Sequence, residues 1–184
     1  MSMFGDGLDA AVHKAFTRPA PKSAPAQMRY LVKQYKGTEA VAQMLRISQR
    51  TVEWYVKDQI KKPRPDLAAR LEREVKARWQ PQVRAKARKK AATTGGIVID
   101  TRARLGYTAI GSTDQDRIRH LTVALPPRHS ARLFEAQEAG ASERELQEIA
   151  AEALKEVYFQ DGGRRAGSLE EVRFTDVEHL EFDL

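Results

Sequence analysis

Hydroxyl groups, rather than the usual catalytic side chains, are the chemistry-bearing feature of this 184-residue chain. The stretch from Gly106 to Asp116 reads Gly-Tyr-Thr-Ala-Ile-Gly-Ser-Thr-Asp-Gln-Asp and offers four hydroxyls beside two carboxylates. A side-chain hydroxyl becomes a nucleophile when a neighbouring base or a metal ion activates it. Taken alone, however, the pattern from Thr113 to Asp116 favours a local turn or a capping box, in which side chains bond to the backbone without chemistry.

Other catalytic and metal-binding patterns are missing from the sequence. The chain has no cysteine, which excludes a disulfide framework and a thiolate site. Its four histidines are far apart and lack His-x-x-x-His spacing. The chain also lacks a Gly-x-x-x-x-Gly-Lys loop, a Gly-x-Ser-x-Gly elbow and a Gly-x-Gly-x-x-Gly motif. We therefore predict that the protein is not an enzyme and has no cofactor of its own.

Charge divides the chain into two unlike halves. Residues 1–94 contain 21 Lys and Arg against 8 Asp and Glu, whereas residues 95–184 contain 11 against 17. A positive surface of this size suits a polyanion, because each cation placed on a phosphate releases condensed counterions. The alternative is a solvated basic surface. The acidic C-terminal end, from Glu170 to Asp183, is typical of a solvated face, and the other interpretations are that it repels DNA or meets a basic partner.

The stretch from Thr38 to Lys57 predicts a helix-turn-helix. Thr38 can cap a first helix and Ser48 a second, and apolar residues recur at the spacing that closes the corner between them. Arg46 stands where this turn often has glycine, which predicts a wider turn. The alternative is a pair of packed helices in any small bundle. In the DNA-binding interpretation, the second helix contacts DNA through these residues: Gln49, Arg50, Thr51, Trp54 and Lys57.

A basic run follows, and it contains no acidic residue between positions 80 and 96. Such a run suits phosphate contacts, either as a helix or as a tail that orders on binding. A solubilising linker is the alternative. The residues expected to contact phosphates are Arg84, Lys86, Arg88, Lys89 and Lys90.

We predict an α+β protein in which an all-helical helix-turn-helix domain precedes a small α+β domain with a short sheet and two helices. The expected segments are a flexible N-terminal arm over 1–26, the DNA-binding domain over 27–79, a basic linker over 80–96, and the α+β domain over 97–184. Within the arm, the spacing of Phe4, Leu8, Val12 and Phe16 allows one short amphipathic helix as the alternative. In the last of these, strands at 97–105 and 119–125 flank a loop over 106–116. Since no run of about 18 apolar residues and no export signal occurs, we expect a cytoplasmic protein without a membrane partner.

The whole chain resembles the terminal proteins that cap the telomeres of Streptomyces linear chromosomes and plasmids. The resemblance lies in length and in the order of motifs: Met-Ser-Met-Phe-Gly-Asp-Gly-Leu-Asp, the helix-turn-helix, the Arg-Lys-Lys run, and Arg-Leu-Gly-Tyr-Thr-Ala-Ile-Gly-Ser-Thr-Asp. It implies a protein that becomes covalently linked to DNA 5′ ends, where a threonine hydroxyl primes the synthesis that patches the lagging strand. In this sequence that hydroxyl is expected to be Thr113, and Ser112 is the alternative. Asp114 and Asp116 are expected to orient the hydroxyl or to approach the metal ions of the polymerase.

The resemblance also implies partners. They are telomeric DNA, a DNA polymerase that supplies Mg²⁺ at its own active site, and a companion protein that binds the telomeric overhang; a homodimer is compatible with the sequence. The expected location is the nucleoid at replicon ends. Two other classes stay open. A transcriptional regulator would use the same helix-turn-helix with a C-terminal dimerisation or sensing domain, and an architectural protein would bind DNA with little sequence preference.

Overall fold

The structure is a computed structural model, and it describes residues 2–109, 116–163 and 169–184. Within these residues it is an α+β protein with eight α-helices and a three-stranded antiparallel sheet. The chain divides into two compact units. The helical unit comprises residues 17–81, and the α+β unit combines residues 1–16 with residues 82–184.

The helical unit packs four helices around one apolar core. The helices are α2 (Ala24–Tyr35), α3 (Thr38–Leu45), α4 (Gln49–Val56) and α5 (Pro65–Arg78). Proline in the first turn of α2 and α5 suits their start, because the amide that it lacks would have no partner there. The largest fully buried side chains of this core are Met28, Leu31, Leu45 and Leu71. The predicted helical character of this region is confirmed.

The α+β unit is built on a long central strand. The elements are α1 (Met3–Lys14), α6 (Pro81–Lys90, whose first residue belongs to the helical unit), β1 (Ile97–Ala109), β2 (Arg117–Leu125), α7 (Pro127–Glu138), α8 (Glu143–Leu154) and β3 (Leu169–Asp183). The sheet order is β2-β1-β3 with antiparallel pairing throughout. Ile97 lies opposite Leu125 and Leu105 opposite Arg117, while Val98 lies opposite Asp183 on the other side.

Alternation along β1 separates a buried face from an open face. Ile97, Ile99, Ala103 and Leu105 are buried against the apolar faces of α1, α7 and α8. The intervening residues, such as Asp100, lie on the opposite face, where polar side chains predominate. The two predicted strands at 97–105 and 119–125 are therefore confirmed, and β3 is the third strand of the sheet.

The predicted flexible arm is wrong for residues 3–14. These residues form α1, where Phe4, Leu8 and Val12 are fully buried on one helical face. The Phe4 ring meets the rings of Phe174 and Phe182 edge to face, with centroids 5.3 and 6.1 Å apart. The sheet is therefore covered by three helices of the described residues, where the sequence predicted two.

Two further boundaries differ from the prediction. Residues 80–96 are not a linker, because most of them form α6 and a single π-helical turn over Ala91–Gly95. The loop predicted over 106–116 is shorter, because β1 continues to Ala109 and pairs with β3 along that length. Of the helices in the described ranges, none is both long and apolar enough to cross a membrane.

Candidate nucleic-acid interface

A compact turn joins α3 to α4. Arg46 ends α3 in the left-handed region, with φ 55° and ψ 49°, a conformation that glycine adopts at lower cost. The amide of Ile47 donates to the carbonyl of Ala42 at 3.0 Å and closes the end of the helix. The expectation of a wider turn is therefore wrong: the arginine adopts the positive φ.

Side-chain hydrogen bonds fix the start of α4. The Thr51 amide donates to Ser48 Oγ at 3.1 Å, which confirms Ser48 as the predicted cap. Thr38 does not cap α3, since Gly37 holds that position and Thr38 is the first helical residue. Its hydroxyl instead accepts from Gln49 Nε2 at 2.9 Å, so the first residues of α3 and α4 lie side by side.

Arginines from the flanking helices cap the other ends of the pair. Arg70 Nη1 on α5 donates to the Leu45 carbonyl at 2.6 Å, and Arg29 Nη1 on α2 donates to the Val56 carbonyl at 3.1 Å. Each guanidinium satisfies a terminal carbonyl and places positive charge at the negative end of a helix dipole. The orientation of α4 is therefore fixed at both ends, and only its outer face is available to a ligand.

The outer face of α4 carries the predicted DNA-contacting residues. Arg50 is exposed, and its Cζ lies 5.1 Å from the centroid of the Trp54 ring, which is itself 38% exposed. The opposite face places Val52 and Tyr55 in the core. Gln49 and Lys57 are also exposed, whereas Thr51 is half-buried with its hydroxyl 2.8 Å from Ser48 Oγ. The helical unit contains 15 Lys and Arg against 6 Asp and Glu, a net charge of +9.

The basic run divides into two faces of α6. Arg84 Nη2 lies 3.0 Å and Arg88 Nη2 3.5 Å from Asp9 Oδ1 on α1, and Arg88 also pairs with Glu138. Burial is the main cause of the lowered pKa of Arg84. These two arginines are thus engaged inside the α+β unit. The remaining cations of the run are exposed: Lys86, Lys89 and Lys90.

The predicted priming residues fall mostly outside the described residues. Thr113 and Asp114 belong to 110–115, so their prediction stays untested. Asp116 is half-buried, its carbonyl accepts from Arg104 Nη1 at 3.4 Å, and its Oδ1 accepts no hydrogen bond from the described residues. Thr108, which the sequence placed in the loop, lies in β1 instead and accepts from Arg173 Nη1 at 3.3 Å.

The open face of the sheet contains a polar cluster that the sequence analysis missed. Asp100 Oδ2 accepts from the Thr122 hydroxyl at 2.6 Å, and its Oδ1 lies 3.3 Å from His120 Nε2 and 3.4 Å from His179 Nε2. The hydrogen bond from Thr122, followed by that from His120, lowers the pKa of Asp100. Strand register could have revealed this cluster, because Asp100 and Thr122 are direct cross-strand partners.

Among the described residues, no group of three or more His, Asp or Glu side chains is arranged to hold a metal ion. Comparison with protein-family models, with curated protein sequences and with solved structures finds no match for this chain.

Proposed function

We propose that this protein binds DNA through a helix-turn-helix in which α3 is the supporting helix and α4 the recognition helix. One observation carries the proposal. The first turn of α4 presents Gln49 and Arg50 to solvent, while Val52 and Tyr55 on its inner face anchor it in the core of a unit with net charge +9. Recognition helices of this class contact base edges mainly through their N-terminal residues.

The chemistry of the exposed face suits the major groove. Arginine can donate two hydrogen bonds to O6 and N7 of guanine, and glutamine can pair with N6 and N7 of adenine. The N-terminus of α4 also carries the positive end of a helix dipole, which favours nearby phosphates. Lys57, at the far end of the same helix, supplies a charge for the backbone rather than for sequence.

Selection from a random duplex library, followed by titration of the full chain at several salt concentrations, tests this proposal. We expect enrichment of a short motif, together with an affinity that falls linearly with the logarithm of salt concentration. Binding with a steep salt slope and no enriched motif would favour an architectural protein. Absence of binding at about 50 mM salt, where phosphate contacts are strong, would reject the proposal.

We further propose that the protein is a telomere-capping terminal protein that primes DNA synthesis with the hydroxyl of Thr113. Its support is the resemblance in length and motif order, together with the place of 110–115 in the chain, between two paired antiparallel strands. The hydroxyl oxygen would attack the α-phosphate of a deoxynucleotide, lose its proton to a base, and release pyrophosphate. The polymerase would supply the Mg²⁺ ions, so this chain is the primer and not the catalyst.

Transfer of label from radioactive dCTP tests the priming step. The reaction contains the full chain, a polymerase, the overhang-binding companion protein and telomeric template. Wild type and Ser112→Ala should take up label, Thr113→Ala should not, and Thr113→Ser should retain part of the transfer because a hydroxyl remains. Full labelling of Thr113→Ala would identify a different oxygen. If no variant is labelled while specific duplex binding persists, the protein is a transcriptional regulator with a C-terminal dimerisation or sensing domain.

A further inference from the structure

A cleft lies where the end of α3 meets α5. It has a volume of about 320 Å³ and is lined by Met44, Leu45, Arg46, Arg70, Arg73 and Glu74. This volume is at the lower end of the range for small-ligand sites, which is about 300–1,000 Å³. Three of the six lining residues are arginines. None of the six belongs to the predicted DNA-contacting set.

Most of the negative charge near this cleft is already paired. Glu74, its one acidic lining residue, forms an ion pair with Arg78 one helical turn further along α5. Arg70 donates to the Leu45 carbonyl and so offsets the negative end of the α3 dipole, which would otherwise repel an anion. The carboxylate of Asp66 lies 3.4 Å from Arg70 Nη2, and that side chain is mostly exposed.

The other two arginines keep their hydrogen-bonding capacity. Arg46 and Arg73 are exposed, and across the described ranges their guanidinium groups form no hydrogen bond or ion pair. A guanidinium offers five donors in a planar fork that matches the oxygens of phosphate. Arg46 also keeps a left-handed backbone that glycine would adopt more easily.

We propose that this cleft binds a phosphate group between Arg46 and Arg73, with the Arg70 guanidinium as its positively charged wall. A phosphodiester of the DNA backbone and a free phosphate-bearing small molecule share the chemistry that the cleft recognises. The DNA source rests on the proposed function, because it requires a bound duplex. Binding of a free phosphate-bearing small molecule does not depend on the proposed function.

The test uses the full chain and two matched double variants. Arg46→Gly with Arg73→Gln removes both free guanidinium groups, and it should fold because glycine suits the left-handed turn and glutamine suits an exposed helical position. Lys36→Gly with Lys33→Gln is the control. It removes two exposed cations from the same unit, one of them likewise in the left-handed conformation.

Two measurements distinguish the sources. In the first, inorganic phosphate replaces chloride at constant ionic strength while the thermal midpoint of unfolding is recorded. In the second, duplex affinity is titrated against salt. A phosphate-dependent rise in the midpoint that the arginine variant loses and the control keeps identifies a free anion. A salt slope that is smaller by about 0.9 per lost phosphate contact in the arginine variant alone identifies the DNA backbone.

Either result supports the site. If the arginine variant behaves as the control does in both measurements, the cleft binds no phosphate and the inference is wrong. If no duplex binds any of the three proteins, the proposed function has failed, but the phosphate titration still decides the question of the cleft.

Discussion

Replacement of Arg50 by alanine should weaken DNA binding far more than it weakens the fold. Its guanidinium lies over the Trp54 ring at 5.1 Å, an exposed cation–π contact that contributes about 0.5–1 kcal/mol to folding. Alanine is the best helix former, so backbone propensity offsets part of that loss. In the complex, by contrast, a bidentate arginine–guanine pair is worth about 1–3 kcal/mol, which corresponds to an affinity about 5- to 150-fold lower.

Fluorescence anisotropy on the selected duplex, and on duplexes with single base-pair changes, separates base reading from charge. We expect Arg50→Ala to bind the selected duplex more weakly and to lose discrimination at one base pair only. Arg64→Ala is the control, because it removes an equal charge from an exposed position outside α4. Its loss should be similar on every duplex, since phosphate contacts carry no sequence information.

If the two variants lose affinity equally on all duplexes, Arg50 does not contact a base. In that case Arg50 either contacts a phosphate or does not contact the DNA, and α4 does not recognise the base sequence as a recognition helix does. Urea denaturation of both variants completes the experiment. If the free energy of unfolding of Arg50→Ala lies within about 1 kcal/mol of that of wild type, the lost affinity reflects a lost contact rather than unfolding.

Three other predictions concern the fold that supports the site. Ser48→Ala should cost about 1 kcal/mol in urea denaturation, whereas Ser23→Ala, at a helix start where the side chain makes no capping bond, should cost less. Phe4→Ala should lower the free energy of unfolding by about 3–5 kcal/mol, because the ring is fully buried. Met3→Ala, on the exposed side of α1, should change it little. Equal effects of the two substitutions would support the flexible arm predicted from the sequence. The capping box lowers the pKa of Glu145 through its hydrogen bonds to Ser142, so its stabilisation is present above pH 4.5 and is lost as pH falls through the folded pKa. The denaturation midpoint of Glu145→Gln should therefore lie below that of wild type at pH 7, and the difference should shrink as pH falls below 4.5.

Local signals were sufficient to predict the candidate interface. The serine before α4 and the apolar spacing of Val52 and Tyr55 depend on neighbours within one or two helical turns. The capping box of Ser142 and Glu145, found in the structure, is likewise a local pattern, because it spans four residues. Two local predictions were wrong. Thr38 is the first residue of α3 and not its cap. Arg46 closes a tight turn in the left-handed region, where glycine is only a preference.

Contacts between distant parts of the chain were not predictable in this way. Phe4, Leu8 and Val12 have helical spacing, but no local rule states that the ring partners of Phe4 are Phe174 and Phe182, near the other end of the sequence. Pro19, Pro21 and Pro25, which exclude a long helix over this segment, favour a mobile arm when only local signals are considered. The polar cluster around Asp100 was missed for the same reason, since its two histidines come from different strands.

The basic run shows why charge counted along a sequence overstates the charge that a nucleic acid meets. Arg84 and Arg88 lie four residues apart on one face of α6, and Asp9 and Glu138 neutralise them within the unit. A half-buried guanidinium that is already paired with a carboxylate is not free to neutralise a phosphate and release the counterion condensed there, so it contributes little to the salt dependence of binding. Arg29 is also paired, with Asp58, but both side chains are about half exposed and the pair is weaker than a buried one. The charge that the fold leaves available to a polyanion is therefore set by exposed cations without an ion-pair partner. Among the described residues these include Arg46, Arg50 and Arg73 in the helical unit and Lys86, Lys89 and Lys90 on α6.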